Sequence, residues 1–259
     1  MKTLKHIVVS LLIFIGLWQL IYLIGGFQEA LFPAPFSVGK AIVTMFLHKD
    51  VYQDIGASMY RFVIGYLLAV ASGILLGLLL GWFPRVFNYV NPIIQVLRPI
   101  SPIAWLPFIV LWFGIGDIPA IVIIFIAAFY PILLTTAASV GNIDPIYLKV
   151  AKNFGIRRHR VLFTIVFPAA FPQIMNSIHI ALGSAWVFLV AGEMTGAQSG
   201  LGFRIIDARN NLRMDHLLAT IVIIGIIGLL LDSLIKVIEK KILSNWGKEA
   251  KEGGKYNAN

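Results

Sequence analysis

Five ionisable residues stand in or beside otherwise apolar stretches of this sequence: Arg61, Arg98, His179, Glu193 and Asp232. In a membrane-embedded chain such groups mark functional positions by default, because burying a charge in hydrocarbon is expensive. Two readings stand for His179, which falls near the middle of an apolar run. Its imidazole could donate a hydrogen bond to an oxyanion, or it could be a neutral packing residue. Glu193 carries the wrong sign to grip an anion, so gating suits it better. Asp232 has Lys236 four positions on, a spacing that suits an ion pair along one helix face. Arg204, Arg209 and Arg213 form a basic group that could steer an anion or simply be solvated. None of this is a catalytic constellation. The five histidines are scattered, cysteine is absent, and no G-x-x-x-x-G-K-[ST] phosphate loop occurs. The chain therefore carries no candidate catalytic residue, no metal site and no cofactor site of its own.

The elements that must position these groups follow from composition. Of 259 residues, 59% are hydrophobic and 13% charged, with mean hydropathy +0.87. Soluble domains run at about 45–50% apolar and about 25% charged. The composition excludes a soluble globular protein, a disordered chain and a disulfide scaffold. It describes an all-α polytopic membrane protein. Six spans of about 20 residues each fit the length. The first is Ile7–Ile24 behind Lys2 and Lys5, a retained span rather than a cleaved leader, since the apolar run is long and no A-x-A-like site follows. The others are Ala57–Phe83, Pro99–Phe113, Ile118–Val140, Phe167–Ala191 and His216–Ile238. The third, with Pro99, Pro102 and Pro107, should be kinked or broken; the fifth is interrupted early by Pro168 and Pro172. Between the first two spans the reading is an exposed segment with a short helix near Val38–Leu47. Glu193–Asp215 reads as a long polar loop.

The net charge of +9 tests the orientation. With the N-terminus inside, fifteen Lys and Arg fall on inside segments and six outside. That split places both termini in the cytoplasm and explains the basic balance without nucleic acid. The expected organisation is a first helix with an extracytoplasmic linker (1–56), a core (57–245) containing a cytoplasmic loop (142–166), and a cytoplasmic tail (246–259).

Two patterns are more specific. Gly65, Ala69, Gly73, Gly77 and Gly81 recur every fourth position and lie along one helix face. Small residues let helix backbones approach closely in lipid, either within one chain or between subunits. Between the fourth and fifth spans, Pro145 can open a short helix and Gly155 can close it. Ile146, Leu148, Val150, Ala151 and Phe154 give this helix an apolar face, and Arg157, Arg158 and Arg160 follow. It either lies at the lipid headgroups or docks a cytoplasmic partner.

The same stretch resembles the EAA loop of ABC importer permeases, whose pattern is E-A-A, three residues, Gly, nine residues, I-x-L-P. Here it reads Lys149-Val150-Ala151-Lys152-Asn153-Phe154-Gly155, nine residues, then Ile165-Val166-Phe167-Pro168. Ala151, Gly155, Ile165 and Pro168 match without a gap. Lys149, Val150 and Phe167 depart from the pattern, and Lys149 replaces its Glu. Leu97-Arg98-Pro99-Ile100-Ser101-Pro102-Ile103-Ala104-Trp105-Leu106-Pro107 is similar to the third-span entry of the nitrate/sulfonate/taurine/bicarbonate branch. So are Ala191-Gly192-Glu193-Met194 with Gly200-Leu201-Gly202, and Leu31-Phe32-Pro33-Ala34-Pro35. The resemblance covers about residues 30–245.

It implies the type I (MetI-like) permease fold. It also implies a homodimer of permeases in a bacterial inner membrane, two cytoplasmic ABC ATPase subunits that bind ATP and Mg, and an extracytoplasmic binding protein that delivers substrate. Residues 145–168 would couple to the ATPase, and Arg98, Ser101, Trp105, His179 and Glu193 are candidates for the translocation path, Glu193 also for contact with the binding protein. The implied substrate is a small anion: nitrate, an alkanesulfonate or taurine, or bicarbonate. Related permeases carry aromatic vitamin precursors. Two rivals lack their sequence features. An ion-coupled secondary transporter wants acidic relays deep in its spans and an internal repeat. A membrane enzyme wants clustered catalytic side chains.

Overall fold

The computed structural model describes the backbone of residues 2–29 and 31–256, with side chains except at 2–4, 7, 8, 152, 158, 159, 243 and 245–256. The described residues are helical throughout, joined by short connections. In chain order the helices are α1 (Lys2–Gly25), α2 (Pro35–Leu47), α3 (Lys49–Trp82), α4 (Pro84–Leu97), α5 (Leu106–Phe113) and α6 (Asp117–Gly141), then α7 (Pro145–Asn153), α8 (Arg158–Val161), α9 (Phe167–Gly196), α10 (Leu201–Asn210) and α11 (Met214–Tyr256). A 3₁₀ turn (Pro102–Trp105) precedes α5, and a π turn (Leu162–Val166) precedes α9. Proline sits in the first turn of α2, α4 and α5. There its missing N–H costs nothing, because the first amides of a helix have no partner within it.

Four stretches are long and apolar enough to cross a bilayer alone: Lys49–Trp82, Asp117–Gly141, Leu162–Gly196 and Met214–Ile242. The expected third span, Pro99–Phe113, does not reach that length alone; it is the second arm of a broken pair that begins at Pro84. Helix α4 and the 3₁₀ turn with α5 meet at a bend of 82°. The first span contributes the apolar stretch Val9–Gly25 of α1. The second span begins at Lys49, not Ala57. Apolarity marks where a helix enters lipid; it does not mark where the helix starts, and Lys49, Asp50 and Asp54 form extra turns beyond the apolar run.

The glycine ladder of α3 resolves into a seam with α6 of the same chain. Gly65 lies against Ile124, Gly73 against Ile132, Gly77 against Thr136 and Gly81 against Val140. Residues rise together along both helices, so α3 and α6 run parallel. The chain must then return over residues 83–116 before α6 can start at the same end as α3. The bent α4–α5 pair therefore makes a crossing as a whole and is not a loop that turns back. The backbones touch: a Cβ at Gly77 would stand 2.8 Å from the Leu133 carbonyl oxygen, and one at Gly81 2.6 Å from that of Ala137. Lipid supplies no hydrophobic drive between helices, so this close contact is where van der Waals energy is gained.

Helix α9 packs antiparallel to α6 and also touches α3. Gly192 meets Ala120, and the Gly116 amide donates to the Gly196 carbonyl at 2.9 Å. The main core lies between these three helices, around Ile124, Ile132, Ile174, Ala185 and Leu189. Helix α11 runs back along α9, where the Trp186 indole Nε1 donates to the Ile224 carbonyl at 3.1 Å across Gly228.

Candidate functional site

Helix α7 forms where Pro145 and Gly155 place it. Asp144 is its N-cap, a residue the sequence reading passed over; its carboxylate accepts the Ile146 amide at 2.8 Å. At the other end Gly155 adopts φ +67° and the Ile156 amide donates to the Ala151 carbonyl at 3.0 Å. This is a left-handed helix stop that a side chain would strain. The helix is held to the core at one point. Ala151 is buried in the main core at 1% exposure, whereas Ile146, Tyr147, Val150 and Phe154 are exposed, Phe154 by 79%. Lys149 is exposed, and the Lys152 side chain lies outside the described residues.

The connection from α7 into the membrane is continuous. Pro168 cannot donate a backbone hydrogen bond, and the ladder before it shifts, with Phe167 bonding to Leu162 in the π turn. Ile165 is half-buried there. Pro172 sits inside α9 without breaking it, so the interruption is the π turn at the start of the span.

The path candidates separate. Arg98 ends α4 and lines a cavity of about 620 Å³ with Thr135, Ser139, Asn142, Asp144, Tyr147 and Gln173, so that one cation and one carboxylate share it. This polar cavity thus joins the bend, α6, α7 and α9. Ser101 is exposed at the bend, and Trp105 is half-buried against the small cluster of Leu106, Ile109 and Ile123. His179 does not offer a free donor to an anion. Its Nε2 contacts Glu239 Oε2 at 2.9 Å, and Nδ1 faces Asp232 Oδ1 at 3.5 Å. Two carboxylates flank it, and Asp232 also pairs with Lys236 at 2.6 Å, as the spacing predicts. An exposed stripe of α9, with Gln173, Asn176, Ile180 and Gly183, adjoins this cluster.

Glu193 is not on an open surface. Its side chain is fully buried, and Arg61 is 2% exposed. Arg61 Nη1 donates to Glu193 Oε1 and to the Ser199 carbonyl, each at 2.7 Å. Nη2 donates to Ser199 Oγ at 2.8 Å and Nε to Asp117 Oδ1 at 2.7 Å. Glu193 also accepts from the Ser58 hydroxyl at 2.8 Å and the Gly202 amide at 2.9 Å. The same network builds α10, which replaces the expected polar loop. Ser58 Oγ caps the Leu201 amide and Asp54 caps that of Gly200, both at 2.8 Å, while Arg204 Nε pairs with Asp54 at 2.7 Å. Gly200, at φ +105°, has no room for a Cβ, which would fall on the Glu193 carboxylate. Carboxylates thus satisfy the orphan amides and the positive end of α10. Ser58 and Asp54 are absent from the expected residues, and Arg61 is expected as an intramembrane charge but not as the partner of Glu193; Glu193 in an apolar run, needing a cation, is the available signal.

The sequence matches the model of the family described as "Binding-protein-dependent transport system inner membrane component" over residues 73–244. It is 31% identical over 231 residues to the aliphatic sulfonates transport permease protein SsuC of Bacillus subtilis, covering 89% of this chain and 84% of that one. It is 31% identical over 238 residues to the taurine transport system permease protein TauC of Escherichia coli, covering 90% of this chain and 86% of that one. It is 33% identical over 247 residues to the nitrate import permease protein NrtB of Leptolyngbya laminosa, with 91% and 86% covered. Among solved structures, the fold is similar to an inward-facing MetNI methionine ABC transporter, at TM-score 0.62 and 18% identity, covering 75% of this chain and 94% of that one. The chain belongs to the inner membrane components of binding-protein-dependent transport systems, multi-pass permeases with the MetI-like fold.

Proposed function

We propose that this chain is the permease subunit of an ATP-driven importer of a small anion, working as a homodimer with two cytoplasmic ATPase subunits and an extracytoplasmic binding protein. The observation that carries the reading is α7. Four apolar side chains on and just after this short helix are exposed, while Ala151 anchors it in the core. Such a surface wants a partner, and a partner that moves would move the core with it. Both termini and α7 lie on the cytoplasmic side in this reading, where basic residues concentrate.

The mechanism follows from the connections. Closure of the ATPases displaces α7. The displacement passes through the π turn and Pro168 into α9, and through Ala151 into the bundle. The path then switches between discrete packings, as rigid elements do. The polar cavity that holds Arg98 touches α7 through Tyr147, so the cation for an anionic substrate lies beside the moving part. The sulfonate, taurine and nitrate relatives support an anion. ATP and Mg bind on the partner, and this chain does no hydrolysis.

The test is a mild-detergent pull-down of tagged chain from its native membrane, with every co-purifying chain identified. A phosphate-loop ATPase and a binding protein are expected, and ligand binding to the latter would identify the anion. Recovery of the chain without an ATPase would overturn the proposal.

A further inference from the structure

A second cavity, of about 670 Å³, lies behind α7, on the core side of the helix. Its walls include Trp82, Val140, Ile143, Leu148, Ile156 and Val166, and no lining residue carries a charge. The volume falls in the roughly 300–1,000 Å³ range of ligand pockets. It opens between the ends of α3 and α6, where their seam stops, and the segment that leads from α7 into the π turn. Three exposed arginines stand one residue away from its wall. Arg85 follows Pro84, Arg157 follows Ile156, and Arg160 precedes Val161. None of the three has an ion-pair partner among the described residues.

We infer that this cavity holds an acyl chain of an anionic phospholipid, with the headgroup phosphate against Arg85, Arg157 and Arg160. Two independent features meet in this assignment. The lining side chains carry no charge and all but the Trp82 indole are apolar, which calls for an alkyl chain. Arginines without an ion-pair partner among the described residues adjoin three wall residues in the chain, which calls for a phosphate, and Arg binds phosphate oxygens through paired donors. Basic pockets between membrane helices recognise anionic headgroups on these terms. A chain seated there would wedge between α7 and the ends of α3 and α6. It would therefore stiffen the link by which α7 moves the bundle, and make that link sensitive to membrane composition. The arginine run after α7 thereby gains a ligand that a docked ATPase does not require.

The test uses the full chain, purified in mild detergent and offered phosphatidylglycerol and phosphatidylcholine with identical acyl chains. Native mass spectrometry counts what is retained. Wild type should keep phosphatidylglycerol in preference to phosphatidylcholine. Gly141→Leu fills the cavity from a position where a Cβ meets nothing within 4 Å. It should cut retention about tenfold with an unchanged thermal midpoint, and Arg85→Gln/Arg157→Gln/Arg160→Gln should abolish the headgroup preference. A photoactivatable acyl chain on phosphatidylglycerol should label wild type within residues 81–84 and 140–166. That measurement does not depend on how any variant folds. Equal retention by Gly141→Leu and wild type, equal labelling from phosphatidylcholine, or label spread over the outer helix faces would overturn the inference. So would a cavity filled only when a second protein chain is present.

Discussion

Arg61 on α3 and Glu193 on α9 lie 132 positions apart and form an ion pair at 2.7 Å with both side chains out of solvent. Asp117, Ser199, Ser58 and the Gly202 amide make further hydrogen bonds to the pair. Removing one partner of a buried pair strands the other charge, at a cost of about 3–5 kcal/mol. Arg61→Met should therefore lower the thermal midpoint in detergent strongly, and Glu193→Gln less. The double variant Arg61→Met/Glu193→Gln should be less destabilised than the sum of the singles. Additive effects in that cycle would show that the pair is not coupled.

The seam between α3 and α6 makes a prediction about size. Gly77→Leu forces a side chain against the Leu133 carbonyl and Thr136. Overpacking of this kind costs about 1–3 kcal/mol or more. Gly183→Leu on the exposed stripe of α9, where a Cβ meets nothing within 4 Å, should leave stability unchanged. Thermal unfolding of the two variants side by side checks both halves.

The outward face of α7 should bind a partner without holding the fold. Phe154→Asp alters a side chain that is 79% exposed. The midpoint of the purified chain should stay within about 0.5 kcal/mol of wild type, as for other surface changes. Co-purifying ATPase should fall sharply. A normal yield of ATPase would remove α7 as the docking element.

Gly155 sets where α7 stops. Gly155→Glu should insert in the membrane and dimerise at wild-type yield, yet lose ATPase docking and transport. Gly155→Asn, which tolerates the left-handed conformation better, should keep more of both than Gly155→Val. Normal transport by Gly155→Glu would show that the loop is misplaced as the coupling element.

Local signals in the sequence carried local structure well. Pro145, Gly155 and Pro168 bracket α7 and the entry to α9 because proline and glycine act on their own backbone. The prolines at 99, 102 and 107 foretold the bend between α4 and α5 for the same reason. What escaped was assembled from distance. The partners of Arg61 lie 56 to 138 positions away, so no window contains them. Helix α10 read as loop because Gly200 heads it and its caps, Asp54, Ser58 and Glu193, come from other helices. The glycine ladder was legible as a close-contact face, but only its register against Ile124, Ile132, Thr136 and Val140 names the neighbour.

That register has a mechanical consequence. Two parallel helices whose carbonyls and side chains interlock at four successive glycines can neither slide nor roll past each other without steric collision. They form a rigid plate. Any alternation of access must hinge at the edges of this plate, at the α4–α5 bend on one side and along α9 and α11 on the other. A covalent tether between α3 and α6 should thus be silent in a transport cycle, whereas one that pins α9 to α11 should stall it.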